Sequence, residues 1–462
     1  MLIIKIPNFC KSELKYSLNV LLNEFLGLNF EIKIHDSDNI CITNANKEGQ
    51  ITLDTSFFQS ANQSWLNIKS MPKVPLDFWD PSKDELKLNL VDEKLPVIYG
   101  KPGLIRKKGH IHLNIDIFGS AFFMLSRYEE LISSNRDEHD RFPACESVSY
   151  KEGFLNRPII NEYLEVLKEC FVSIWPDINF LNRDANNFIT CDVDWPYDPS
   201  MYSIKYMAKK FFKLLLLNRD ISKAIKCTYM YLLVKFNMNY QDPYREGINW
   251  IMDINEKYGN KVAFFFITHF TSSIDTIKDA EYDSTKIRNL FKEIKKRGHE
   301  IGVHPGYETY KNSKNFKETV DRMKKIIREE SLDQENIGGR QHFLRWTASH
   351  TPQLWEENNL QYDSTLSYAD IAGFRCGICY EYTMYDLIDR RALRLKQRPL
   401  IVMECSIISK RYENLKYSKE SLKRFEYFKK TCHQFNGTFN LLWHNSHFNN
   451  KNDKIFYEKI IR

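Results

Sequence analysis

From residue 187 onward the chain alternates short apolar runs with amphipathic stretches, and this restricts the fold more than any other feature. The runs are NFITCD (187–192), KVAFFFI (261–267), HEIGVH (299–304), QHFLRW (341–346), LIVMEC (400–405) and TFNLLW (438–443). Their length and their β-branched or aromatic content predict strands. Between them, apolar residues recur at helical spacing over 245–258, 284–297, 315–330, 352–359 and 419–434. Strands separated by helices predict βα units around a parallel sheet. The expected class is therefore α/β, a parallel sheet or barrel over 185–462.

Residues 1–180 read differently. Short strand candidates (LIIKI, FEIKIH, ITLDT, LPVIYG, HIHLNID) are separated by loops rich in Asn, Asp, Lys and Pro. Helices are expected from Gly119 or Ser120 and over 161–172. This predicts a smaller N-terminal α+β domain, joined to the second by the polar stretch PDINFLNRDAN at 176–186. A chain of 462 residues, 43% apolar, can fill both cores.

One segment departs from the pattern. Residues 203–240 are apolar and basic together and predict amphipathic helices with a lysine-rich face. The plain expectation is a helical insertion packed on the barrel with its lysines in water. The sharper one is contact with an anionic membrane surface or a lipid-linked substrate.

The net charge of +6 is small and comes from scattered Lys and Arg, which argues against nucleic acid as the partner. No run approaches the ~18 apolar residues of a membrane span. Lys5 interrupts the apolar N-terminus and no small-residue cleavage site follows, so no signal peptide is expected. The location read from this is cytoplasmic, with the inner membrane face as an alternative. Among ten cysteines, Cys376 and Cys379 form C-x-x-C, but no second pair exists to complete a four-cysteine zinc site. A tight turn of small residues is the expectation there.

The chemistry lies at strand ends, which in a parallel βα fold converge on one face. Asp192 and Asp194 end the first run, His304 the third and His444 the last, while Arg340, His342 and Arg345 surround the fourth. Each alone is ordinary. Together they form a metal-hydrolase constellation. Asp192 and Asp194 share a face if the segment stays extended, because side chains two apart on a strand point the same way.

These residues carry a likeness. GHEIGVH (298–304), T-x-D (190–192) and LLWH (441–444) resemble, in the same order, motifs of the polysaccharide deacetylases of the NodB-homology superfamily. DSTLSYADIAGFRCG (363–377) and the SRYEE…DRFPA…GFLNRP block resemble a bacterial subgroup with an extra N-terminal domain. The resemblance implies a distorted, incomplete (β/α) barrel over 185–462 and a divalent metal, zinc first, with manganese, cobalt, nickel or iron as alternatives. It makes Asp194 and His304 ligands, Asp192 the base and His444 the acid. An arginine, Arg340 or Arg345, would orient Asp192. Two departures stand out. Val193 separates aspartates that the family usually places side by side, and Glu308 stands where the family commonly has a second metal histidine. Glu308 is accordingly the candidate third ligand, with His299 and His342 as alternatives. Trp443, Tyr368 and Asp363 are candidate substrate-binding residues.

The implied reaction is hydrolysis of an N-acetyl or O-acetyl group on a saccharide, met as a lipid- or nucleotide-linked precursor. Two other readings remain open at this point. One is a non-catalytic glycan-binding or scaffold protein with a decayed metal site. The other is a metal-dependent amidohydrolase acting on a non-sugar C–N bond.

Overall fold

The computed structural model describes residues 1–46, 48–217, 219–275, 282–448 and 451–462. Its N-terminal part holds eight strands: β1 (Leu2–Pro7), β2 (Phe30–His35), β3 (Ile40–Asn44), β4 (Gln50–Leu53), β5 (Asp77–Trp79), β6 (Leu95–Val97), β7 (Gly100–Lys107) and β8 (His110–Ile115). Six of them make a mixed sheet in the order β2-β1-β3-β4-β8-β7, while β5 and β6 pair separately. The sequence patterning found most of these strands and missed β3, β5 and β7. Strand β7 is largely exposed, so no alternation of apolar residues marks it. The helix Ile117–Leu125 is buried along its whole length. It starts two residues before the expected point because Asp116 caps it, accepting from the Gly119 N–H at 2.7 Å and the Phe57 N–H at 2.8 Å. The helix Ile159–Ile174 closes this part.

The second sheet has nine strands: β9 (Asn186–Val193), β10 (Val262–Phe266), β11 (Glu300–Val303), β12 (Gly338–Gly339), β13 (Tyr362–Asp363), β14 (Tyr382–Asp386), β15 (Arg391–Gln397), β16 (Val402–Met403) and β17 (Thr438–Leu442). Their order is β14-β15-β13-β12-β11-β10-β9-β17-β16. Every neighbouring pair is parallel except β14 with β15. The expected barrel is thus an open, mostly parallel sheet: among the described residues no ladder joins β14 to β16. The central strand β10 (VAFFF) is buried at every position, as a parallel strand covered on both faces requires. The helix Thr285–Lys296 supports the sheet with Ile287, Leu290, Phe291 and Ile294, a single apolar stripe. The helices Pro243–Lys257, Ser313–Glu329, Thr351–Glu357 and Lys419–Gln434 follow the periodicity read from the sequence.

Of two predicted strands, one is absent and one shrinks. The 341–346 run is not a strand: β12 ends at Gly339, and His342–Leu344 form a tight 3-10 turn with Phe343 and Leu344 at positive φ (60° and 55°). The 400–405 run gives a two-residue strand and then the helix Glu404–Ile408. β11 and β12 approach so closely that a Cβ on Gly339 would lie 1.8 Å from the Val303 carbonyl oxygen. Glycine is therefore required where the chain prepares to deliver Arg340 and His342.

One apolar cluster runs through both sheets. All ten cysteines are free, and Cys376 and Cys379 are buried in a turn around Gly377 (φ +67°). No helix among the described residues is long and apolar enough to cross a membrane.

Candidate metal centre

The C-terminal ends of β9, β11, β12, β16 and β17 meet on one edge of the second sheet. Asp192 and Asp194 leave β9, His304 follows β11, Arg340 and His342 follow β12, Glu404 follows β16, and His444 follows β17.

Asp194, His304 and His342 form a compact set whose ligand atoms all lie within 4.8 Å of one another. Asp194 Oδ1 is 3.4 Å from His304 Nε2 and 3.7 Å from His342 Nε2. The ring orientations are fixed from behind. His304 donates its Nδ1–H to the Arg340 carbonyl at 2.6 Å, and His342 donates its Nδ1–H to Asp275 Oδ1 at 2.8 Å. With Nδ1 occupied, each ring turns Nε2 toward Asp194, the arrangement that outer hydrogen bonds impose on metal-binding histidines. Two imidazole nitrogens and a carboxylate suit zinc, and equally cobalt, nickel, manganese or iron(II). Burial pushes the Asp194 carboxyl up, but the hydrogen bond with His304 and the charges of His342, His444 and His304 hold it well below its ordinary range. Asp275 is likewise held low against its burial, by His342, Thr271 and the Tyr307 N–H.

Beside this set lies a buried ion pair. Arg340 Nη1 donates to Asp192 Oδ1 at 2.8 Å and to Thr190 Oγ1 at 2.9 Å. Its remaining donors go to Ser364, Nε to the carbonyl at 2.8 Å and Nη2 to Oγ at 2.9 Å. The fork geometry of a guanidinium allows one side chain to satisfy all these acceptors. Asp192 Oδ2 faces the ligand set, 3.8 Å from His304 Nε2.

A third group approaches from β16 and β17. Glu404 Oε1 accepts from His444 Nδ1 at 2.6 Å, from His447 Nδ1 at 2.8 Å and from the His444 N–H at 3.0 Å. Burial favours a neutral His444, yet the Glu404 carboxylate overrides it and raises its pKa to about 10. Glu404 in turn is held well below the usual carboxylate range by the two histidines, despite its burial.

Not every candidate arrives here. Glu308 is half-exposed and points to Arg345, 3.7 Å away. Glu308 thus stands outside the set, and His342 stands with Asp194 and His304 instead. Arg345 does not reach Asp192: it lies between the rings of Tyr307 and Tyr310, 3.9 and 4.0 Å from their centroids, and donates to the carbonyls of His139 and Tyr307. The turn at 342–344 carries it past the sheet edge. His299 sits at the opposite end of β11, accepting from the Val262 N–H and facing Glu256. Trp443 is fully buried against Phe448 and Tyr457; it follows the inward Leu442 and so points to the other face of the strand. Tyr368 is buried over Arg375 and accepts from Arg127. Asp363 caps its own turn, accepting from the Thr365 N–H at 2.8 Å, and burial pushes it up to about 6. None of these three lines the ligand set.

Two residues escaped the sequence reading, Glu404 and Asp275, while a third, His447, reads from the sequence only as part of the loop that follows His444. Glu404 ends an apolar run just as Asp192 does, so the same signal marks it. Asp275 sits in a loop with no local signature. His447 gains meaning only through Glu404.

Comparison with known proteins adds three findings. Residues 2–176 match a family described as a family of unknown function (DUF7033), which covers well under half of the chain. No curated protein matches. Among solved structures, a candidate polysaccharide deacetylase from Mycobacterium smegmatis is 15% identical over 62% of this chain and 86% of its own, with a TM-score of 0.37. Puue allantoinase is 13% identical over 51% of this chain and 69% of its own, with a TM-score of 0.33. Both scores are low, and a functional reading rests on the chain's own residues.

Proposed function

We propose that the chain is a divalent-metal-dependent hydrolase that removes an acetyl group from an N-acetylated saccharide, or an O-acetyl group from a related one. The observation that carries the reading is the convergence of Asp194, His304 and His342 beside a buried Asp192–Arg340 pair. A cation held by these three residues would supply Lewis acidity toward the acetyl carbonyl and the attacking water. Asp192 then has one oxygen fixed by Arg340 and the other free to accept a proton from that water. His444, kept protonated by Glu404, has a second ring N–H at Nε2 to give to the leaving nitrogen. Arg340 is a positioning residue: its Nη1 holds Asp192 Oδ1 at 2.8 Å and so aims the carboxylate. The saccharide assignment is drawn from the likeness of GHEIGVH, T-x-D and LLWH to deacetylase motifs. His342 at the third ligand position favours an enzyme over a binding protein with a decayed site.

Purified protein dialysed against zinc, cobalt or manganese should retain about one ion per chain and release acetate from N-acetylated sugars. Asp192→Asn should keep the metal and lose roughly 10²–10⁴-fold in kcat. Absence of bound metal under every condition would overturn the reading. Metal binding without acetate release would redirect it to another C–N bond.

A further inference from the structure

Two helices stand beside the centre. Ile204–Phe212, prolonged by the wider coil Lys213–Leu217, packs on Ile221–Lys235. Asn218 between them lies outside the described residues. The first helix buries no residue, and the second buries only Ala224 and Cys227. Their apolar side chains instead face outward: Phe212, Leu217, Ile221, Ile225, Tyr229 and Phe236 are each more than half exposed. So many large apolar side chains exposed on one helix pair mark an interaction site. The same segment, 203–240, carries eight Lys or Arg and a single acid, Asp220.

Between these helices and the metal centre opens a cavity of about 880 Å³. Its inner wall includes Trp195, which follows the ligand Asp194, and Asp275, which holds His342. Its outer wall includes Lys209, Lys213, Lys223 and Lys226. Lys223 pairs with Asp220 at 3.1 Å. Lys209, Lys213 and Lys226 have no ion-pair partner among the described residues. Three uncompensated cations on one cavity wall focus a positive field into it.

We propose that this helix pair docks the chain on an anionic membrane surface, with the cavity lysines receiving the phosphate of a lipid-borne saccharide. Charge complementarity selects this occupant. A protein partner would need an acidic face that is also apolar, whereas a bilayer surface offers phosphate and hydrocarbon together to lysine-rich amphipathic helices. The cavity then joins the phosphate level to the centre, so the sugar reaches Asp194, His304 and His342. The sugar's fate rests on the hydrolase reading; the docking does not.

The test is co-sedimentation of the full chain with phosphatidylcholine vesicles, with and without phosphatidylglycerol. The vesicle-bound fraction should rise about tenfold or more with the anionic lipid and fall as salt is raised. Two variants should each lose that gain while keeping bound metal and thermal stability: Lys209→Glu with Lys213→Glu and Lys226→Glu, and Leu217→Asp with Ile221→Asp. Lys314→Glu with Lys317→Glu, on the exposed face of another helix, should behave as wild type. Binding indifferent to anionic lipid, or lost equally in the Lys314/Lys317 variant, overturns the proposal. Acetate release separates the two readings. A chain that binds anionic vesicles but deacetylates no sugar keeps the docking and loses the hydrolase. One that deacetylates soluble sugars but ignores vesicles does the reverse.

Discussion

His304 and His342 illustrate what single residues contribute. A metal must compete with protons for their Nε2 atoms. Burial lowers the pKa of His304, but Asp192 and Asp194 outweigh it and raise the net value. Metal affinity should rise with pH up to that raised value, by about tenfold per unit while one proton is displaced. Chelator competition at pH 6, 7 and 8 measures this, and His342→Ala should abolish tight binding throughout. Glu404 and His444 make a second prediction. His444 has a folded pKa of about 10 against an unfolded value of 6.5. Its pairing thus stabilises fully below pH 6.5 and is lost as pH rises toward 10. Glu404 is depressed, so its share is present above its unfolded value and lost as pH falls below 4.5. The Tm difference between wild type and Glu404→Gln should therefore be largest between these limits and shrink on the alkaline side.

Among elements, β12, only two residues long, is the most consequential. Its single register with β11 is Val303 opposite Gly339, and the next residues are Arg340 and His342. Gly339→Ala would force a methyl group into the Val303 carbonyl and separate the two strands. We expect a loss of stability of about 1–3 kcal/mol, in the range of overpacked cores, together with a much larger loss of metal affinity, since ligands from both strands would move apart. Equilibrium unfolding and metal titration of the same variant would show whether the two effects separate. Strands β9, β10, β11, β16 and β17 were legible because their runs are apolar and the helices between them amphipathic; β12, β13, β14 and β15 were missed, β12 and β13 being two residues each, and the two glycines of β12 carrying no periodicity. The run QHFLRW looked like a strand on composition, yet its backbone turns left-handed at Phe343 and Leu344, directly after the His342 N–H meets the Pro305 carbonyl at 3.0 Å.

At the scale of the whole molecule, a buried charge cluster ties the first part of the chain to the second. Glu130 accepts from Arg127 at 2.8 Å and from Arg375 at 2.6 and 3.0 Å, all three side chains being fully buried. Arg127 also donates to the Arg375 carbonyl, and Tyr382 donates to the Leu125 carbonyl at 2.9 Å. Breaking such a cluster leaves uncompensated charge in the interior, which typically costs about 3–5 kcal/mol. Glu130→Gln should lower stability by that order, seen as one cooperative shift of the denaturation midpoint, because the apolar cluster is shared. We retain the division near 176–186 as a proposal about two units of architecture, and the shared cluster argues that they unfold together.

Sequence alone determined the local terms: where apolar runs make strands, where stripes make helices, and which polar residues stand at strand ends. Those follow from periodicity and from the cost of burying unpaired charge, so Asp192, Asp194, His304, Arg340 and His444 could be named in advance. Which histidine completes the ligand set, which arginine meets Asp192, and that Glu404 and Asp275 stand behind the rings were decided by tertiary structure. The physical reason is that each depends on the direction of a side chain after a turn, and a turn of two residues, such as Phe343–Leu344, redirects everything beyond it without changing the pattern of the sequence.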